Sequence, residues 1–172
     1  MTSIVSTRSV VDAFKQAMRR LTATVAIITT SEGDEMFGMA VTAVCSLGIA
    51  PPSLLISVAF TASMHEPLMR SRKFCVNLLS FDQAALVGPF SGKVKGKERF
   101  AMADWTENKH SLPQLSGAQA SIFCSVSQVV EYADHSLVIG TVDVVVYQES
   151  VAPLHYENGA FARSTSLECL AL

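Results

Sequence analysis

The chain has 172 residues, a formal net charge of -2, 49% hydrophobic and 16% charged residues. That length suits one domain with a sizeable core, and the near-neutral charge argues against bulk nucleic-acid binding. No apolar run reaches the roughly 20 residues of a membrane helix, so the apolar surplus points to a subunit interface or a lined cavity. The N-terminus lacks the basic stretch and apolar core of a signal peptide. Cys45, Cys75, Cys124 and Cys169 form no C-x-x-C pair. Four free thiols in a reducing cytoplasm are the expectation.

Taken in order, Met1 to Thr7 reads as a loose tail, and Ser9 to Leu21 as an amphipathic helix. Val10, Phe14, Ala17, Met18 and Leu21 share one face, with Lys15, Arg19 and Arg20 elsewhere. Thr24 to Thr30 predicts a strand, and Ser31-Glu32-Gly33-Asp34 a turn into a second strand, Met36 to Ser46. Pro51-Pro52 is expected to stop pairing before a buried strand at Leu54 to Phe60. A short helix follows at about Ser63 to Arg72, then a strand at Phe74 to Leu79. Ser80 with Gln83 has the spacing of a capping box opening another helix. Gly88 to Lys97 reads as a loop. Ala120 to Tyr132 and Leu137 to Tyr147 form a hairpin around Ala133-Asp134-His135. With no internal repeat, the chain is read as one domain over 1–172, with tails at 1–8 and 164–172. Many strands and few helices predict a mainly β fold, a barrel with peripheral helices. No G-x-G-x-x-G opens a helix, which argues against a Rossmann nucleotide site.

The segment Gly38-Met39-Ala40-Val41-Thr42-Ala43-Val44-Cys45-Ser46 is small, hydroxylated or β-branched. Small side chains let a flat ligand approach strand backbone, although an ordinary strand has the same composition. Ser63 and Glu66 have capping-box spacing, which suits a phosphate seat at a helix start as well as a plain cap; Pro67 sits awkwardly in that helix. Lys93, Lys95, Lys97 and Arg99 suit a phosphate or a solvated face. Phe100 and Trp105 suit ring stacking or core filling. His135 suits cofactor orientation or proton movement, or a surface turn, and His155-Tyr156 precede the turn signal Glu157-Asn158-Gly159. No histidine has a partner at metal spacing, and neither G-x-S-x-G nor a P-loop is present, so no metal, hydrolase or nucleotide-triphosphatase reading has support.

The order of these blocks resembles the flavin reductase family that serves two-component aromatic monooxygenases. The resemblance runs from about residue 10 to 163. It rests on Met18-Arg19-Arg20-Leu21 with Thr24-Val25-Ala26, the 38–46 segment, Pro51-Pro52, Ser63-Met64-His65 and Phe74-Cys75-Val76-Asn77-Leu78-Leu79. Arg99-Phe100, Asp134-His135-Ser136-Leu137-Val138-Ile139-Gly140 and Pro153 to Phe161 complete it. It departs from the family at Ala40 and Met64, where Thr is common, and at Pro67.

The resemblance implies a split β-barrel, an FMN-binding barrel with peripheral helices, usually a homodimer. It implies an NAD(P)H-dependent flavin reductase that reduces FMN or FAD with NADH or NADPH and supplies reduced flavin to a partner monooxygenase. Met39, Ala40, Val41, Thr42, Ala43, Val44, Cys45 and Ser46 would line the ring and ribityl chain. Val58, Ser63, Met64, Asn77, Ser91, Lys95, Arg99 and Phe100 would complete the flavin site, with Ser63 and Lys95 or Arg99 at the phosphate. His135, as catalytic residue, would meet the nicotinamide with Tyr156, Gly159 and Phe161. The rival readings are a flavin-binding electron carrier that does not oxidise NAD(P)H, and a binding module without flavin.

Overall fold

The computed structural model describes residues 9–94, 96–107 and 111–165. The expected tail at 1–8, most of that at 164–172, and Cys169 lie outside them.

Helix α1 (Val10–Met18) starts at Ser9, whose Oγ accepts from Asp12 N at 3.3 Å. Strands β1 (Ala23–Thr24), β2 (Ala26–Glu32) and β3 (Glu35–Val41) follow, the last two joined through Gly33 at φ +58. The single strand expected over Met36 to Ser46 is broken: Thr42-Ala43 separates β3 from β4 (Val44–Ile49). Val44 N donates back to Thr42 O at 3.0 Å, a three-residue turn of the kind that ends a strand. Pro52 does not end pairing; it opens β5 (Pro52–Ala59) opposite Ile49, the first strand position being one that proline tolerates.

Helix α2 (His65–Ser71) begins later than expected, with Met64 as its cap, so Ser63 does not form the capping box. Pro67 is therefore the third helical residue, where a missing N–H loses no intrahelical bond. After β6 (Lys73–Leu78), Gln83 Oε1 does accept from Ser80 N at 3.0 Å, but the segment Phe81–Leu86 is a 3-10 helix. The expected loop contains a wide helical turn at Pro89–Lys93, and a 3-10 helix runs over Gly96–Met102. Strands β7 (Trp105–Glu107) and β8 (Pro113–Leu115) pair with each other. The long hairpin β9 (Ala120–Tyr132) and β10 (His135–Tyr147) stands as expected. A last hairpin, β11 (His155–Glu157) and β12 (Ala160–Ala162), turns on Asn158-Gly159 and pairs with β1.

The main ladder runs β3-β2-β6-β9-β10-β5-β4. Its two edge strands are consecutive in the chain and joined by two residues. Three Cα steps limit the distance from Val41 to Val44 to about 11 Å, so the sheet must roll until its edges meet. The result is a split β-barrel: the seam is crossed by the chain and not by a ladder of hydrogen bonds.

Alternation along β2 sorts the core. Ala26 and Ile28 face the barrel interior with Ile56, Phe74, Val76 and Val138. Val25 and Ile27 face outward, under Leu79, Leu86, Phe90, Phe100 and Leu154 from the later segments. The period of two thus buries both faces of this strand. Among the described residues no helix is long and apolar enough to cross a membrane.

Gly140 shows how closely the interior is packed. A Cβ there would lie 2.6 Å from Phe74 Cζ and 2.9 Å from Cys124 Cβ. Phe74 is fully buried and has nowhere to move. Gly140→Ala should therefore lose about 1–3 kcal/mol of stability, read as a lower midpoint in urea unfolding; an unchanged midpoint would refute this account of the packing.

Candidate functional site at the barrel seam

The groove follows the outer side of β3 and crosses the seam. At one end a cleft of about 630 Å³ is walled by Gly38 to Ala40, Thr61 to Ser63, Phe90 to Gly92 and Arg99. A smaller space of about 260 Å³ follows, bordered by Ala40 to Thr42, Ser91, Tyr156 and Phe161. Ala40 and Ser91 are common to both, so the two are continuous. Thr42 and Tyr156 then join the second space to a cleft of about 850 Å³ containing Ala43, Ser57, His135, Asn158 and Gly159. Beyond the seam, Thr42, Val44 and Ser46 border a further cleft of about 690 Å³.

The first cleft owes its shape to Gly38. A Cβ at this position would meet Ile28 O and Phe90 Cε1, each at 3.0 Å. Glycine lets the Phe90 ring close on the strand and leaves its carbonyl open. Arg99 Nη1 donates to that carbonyl at 2.7 Å, and its Nε donates to Gly96 O at 3.0 Å. Its guanidinium carbon lies 5.9 Å from the Phe90 ring centre. Arg99 is 8% exposed and, among the described residues, has no acidic partner. Burial pulls its pKa down from the usual arginine value, yet guanidinium stays charged at any ordinary pH. A buried, unneutralised cation on a cleft wall is a seat for an anion.

At the other end, His135 opens β10 beside the Ala133-Asp134 turn. His135 Nδ1 lies 2.8 Å from Asp134 Oδ1. The histidine hydrogen bond holds the Asp134 carboxyl below the usual carboxylate range. With Nδ1 engaged by Asp134, Nε2 is the ring nitrogen left for a further partner. The facing hairpin carries Tyr156 and Phe161, whose rings meet edge to face at 5.9 Å.

The fold thus gathers Met39, Ala40, Val41, Thr42, Ala43, Val44, Ser46, Ser63, Ser91, Arg99, His135, Tyr156, Gly159 and Phe161 along connected clefts. Met39 and Val41 also pack against the barrel core. Other expected positions lie elsewhere. Val58 and Met64 are fully buried in the interior, because their strand and helix turn those side chains inward. Asn77 is a fully buried hub: its Nδ2 donates to Ile27 O, and its Oδ1 accepts from Leu115 N and Ser121 Oγ. These bonds fasten β2, β8 and β9 around its own strand β6. Phe100 packs with Phe90 and Trp105, its ring centre 5.1 Å and 5.0 Å from theirs. Cys45 is exposed and its thiol donates to Ser46 O. Lys95 lies outside the described residues.

Sequence reasoning passed over Thr61, Phe90 and Ser57, and it placed Lys15 and Arg19 off the working face of α1. Both cations line the same cleft as Phe14 and Met18. The i, i+4 spacing of Lys15 and Arg19 was the available signal.

An anion seat, a groove of small residues along a barrel seam and an adjoining histidine-bearing cleft suit an extended, phosphate-bearing ligand with a flat ring. Residues 18–165 match the flavin reductase like domain, and the chain belongs to that family. It is 38% identical over 154 residues, 88% of this chain and 86% of the relative, to the reductase component of the FADH(2)-dependent resorcinol hydroxylase of Rhizobium sp. (strain MTP-10005). It is 40% identical over 127 residues, 74% of this chain and 76% of the relative, to the FMN reductase (NADH) RutF of Cronobacter sakazakii (strain ATCC BAA-894). The solved flavin reductase PheA2 superposes with a TM-score of 0.81 at 31% identity, covering 90% of this chain and 98% of that one. The NADH:FAD oxidoreductase SgcE6 of Streptomyces globisporus C-1027 shares the fold, with a TM-score of 0.88 at 22% identity over 96% of this chain and 100% of that one.

Proposed function

We propose that this chain reduces FMN or FAD with NADH or NADPH and passes the reduced flavin to a separate monooxygenase component. The observation that carries the reading is the buried Arg99, which has no acidic partner among the described residues, at one end of a groove whose other end holds the Asp134–His135 pair. The relatives named for FMN, FADH(2) and NADH chemistry support it.

Arg99, Ser63 and Ser91 hold the flavin phosphate, and Ala40 to Thr42 support the chain and ring along β3. Thr42 and Ala43, at the seam, offer backbone and hydroxyl groups to the ring edge. His135 Nε2, with Tyr156, Gly159 and Phe161, orients the nicotinamide. Bound together, the reduced nicotinamide supplies a hydride and the flavin accepts it. The protein contributes alignment and exclusion of water.

A second copy of the chain covers the apolar surface left open here. Val10 is 85% exposed, Ile49 89% and Tyr147 72%, and they come from α1, β4 and β10. Light scattering on the purified protein should give twice the chain mass; a monomer at micromolar concentration overturns the dimer.

The activity itself is tested by following NADH and NADPH absorbance with and without FMN, FAD or riboflavin. Flavin-dependent oxidation is expected, and its absence with every flavin sinks the reading. His135→Ala should lower that rate about 100-fold through lost alignment, with flavin affinity kept; an unaltered rate at saturating flavin removes the role given to His135. For Arg99→Gln, the FMN dissociation constant should rise about tenfold or more, while riboflavin, which lacks the phosphate, binds as before. Equal losses for both ligands would show that Arg99 only holds Gly38 in place.

A further inference from the structure

In the large cleft, α1 faces the Asn158-Gly159 turn. Asn158 N donates to Arg19 O at 2.9 Å, which fastens the β11–β12 hairpin to the end of α1. The Arg19 side chain then lies against the turn itself: a Cβ on Gly159 would stand 3.2 Å from Arg19 Nη2 and 3.7 Å from its Cζ. Gly159 has φ +84, so glycine is required for the backbone and also makes room for the guanidinium. Lys15 lines the same cleft one helical turn earlier.

Among the described residues, neither Lys15 nor Arg19 has a side-chain hydrogen bond or an acidic partner. Arg20, by contrast, turns back to donate to Gln16 O. Like charges at i, i+4 repel, yet this pair is kept on one wall. The carboxylate in the cleft, Asp134, is already engaged by His135. The cleft is therefore polarised, with two free cations along α1 and a histidine–carboxylate pair at β10.

We propose that Arg19, assisted by Lys15, receives the pyrophosphate of the nicotinamide cofactor, and that the Gly159 turn is the platform that holds Arg19 in place. This rests on the reading above that the cleft takes a nicotinamide. A dinucleotide with its ring at His135 must lay its two phosphates somewhere along the same cleft, and a guanidinium offers them a two-pronged donor. The pairing acts on binding and not on the hydride step.

The test uses the purified protein with saturating FMN and two donors: NADH, and reduced nicotinamide riboside, which has no phosphate. Binding of ADP is measured separately by calorimetry. In Arg19→Gln the KM for NADH should rise about tenfold with kcat unchanged, and ADP should bind more weakly by a similar factor. The KM for the riboside should not move, and Arg19→Lys should recover part of the loss. If the Lys15→Gln/Arg19→Gln double variant keeps its NADH KM and ADP affinity, the proposal is overturned. A parallel rise in KM for both donors also overturns it, because Arg19 would then merely position the hairpin. Failure of the unaltered protein to oxidise either donor would instead strike the nicotinamide reading itself.

Discussion

Thr42 and Ala43 join strands at opposite edges of a seven-stranded ladder. So short a link leaves the sheet no choice but to roll up. It also prevents the ladder from closing, because the turn at Thr42 to Val44 spends its hydrogen bond internally. A seam results, and three of the connected clefts meet at Thr42. The site exists because the barrel is held together there by covalent chain, leaving backbone groups beside space that a ladder would otherwise fill.

What lies on either side of the seam follows from how the strands bury their faces. The outer face of β2 and β3 is covered over part of its length by the segment from Phe81 to Trp105, whose aromatic cluster of Phe90, Phe100 and Trp105 packs down on it. Gly38 lets that cover approach closely, and Arg99 fills the resulting notch with a charge. Beyond the cover the outer face is open, and α1 and the β11–β12 hairpin wall it instead. The groove is therefore bounded by elements distant in sequence.

Interior polar groups serve the scaffold. Asn77 ties β2, β8 and β9 through one amide, and Thr29 adds a bond from Oγ1 to Pro113 O at 2.6 Å. The buried thiols are inert by the same logic: desolvation raises Cys75, and raises Cys124 to about 12. An asparagine at the middle of an apolar strand reads equally well as ligand contact or internal strut, because both need a polar group inside an apolar segment. Only the partners distinguish them.

Most strands of the main ladder and the long hairpin could be read directly, since alternation and turn residues are local properties; the short strands β1, β7, β8, β11 and β12, two or three residues each, carry too little pattern to be seen. The order of the motif blocks likewise led to the family and to His135, Arg99 and the 38–46 segment. Local pattern could not place the break at Thr42-Ala43, since β-branched and small residues run through it without interruption. Nor could it separate Val58, Met64 and Asn77 from the cleft walls, because which face of a strand is covered depends on segments tens of residues away. The charges on α1 show the same limit most plainly. On a helical wheel Lys15 and Arg19 are solvent-facing residues, and only the docking of the Asn158-Gly159 turn against Arg19 makes them a wall of the cleft.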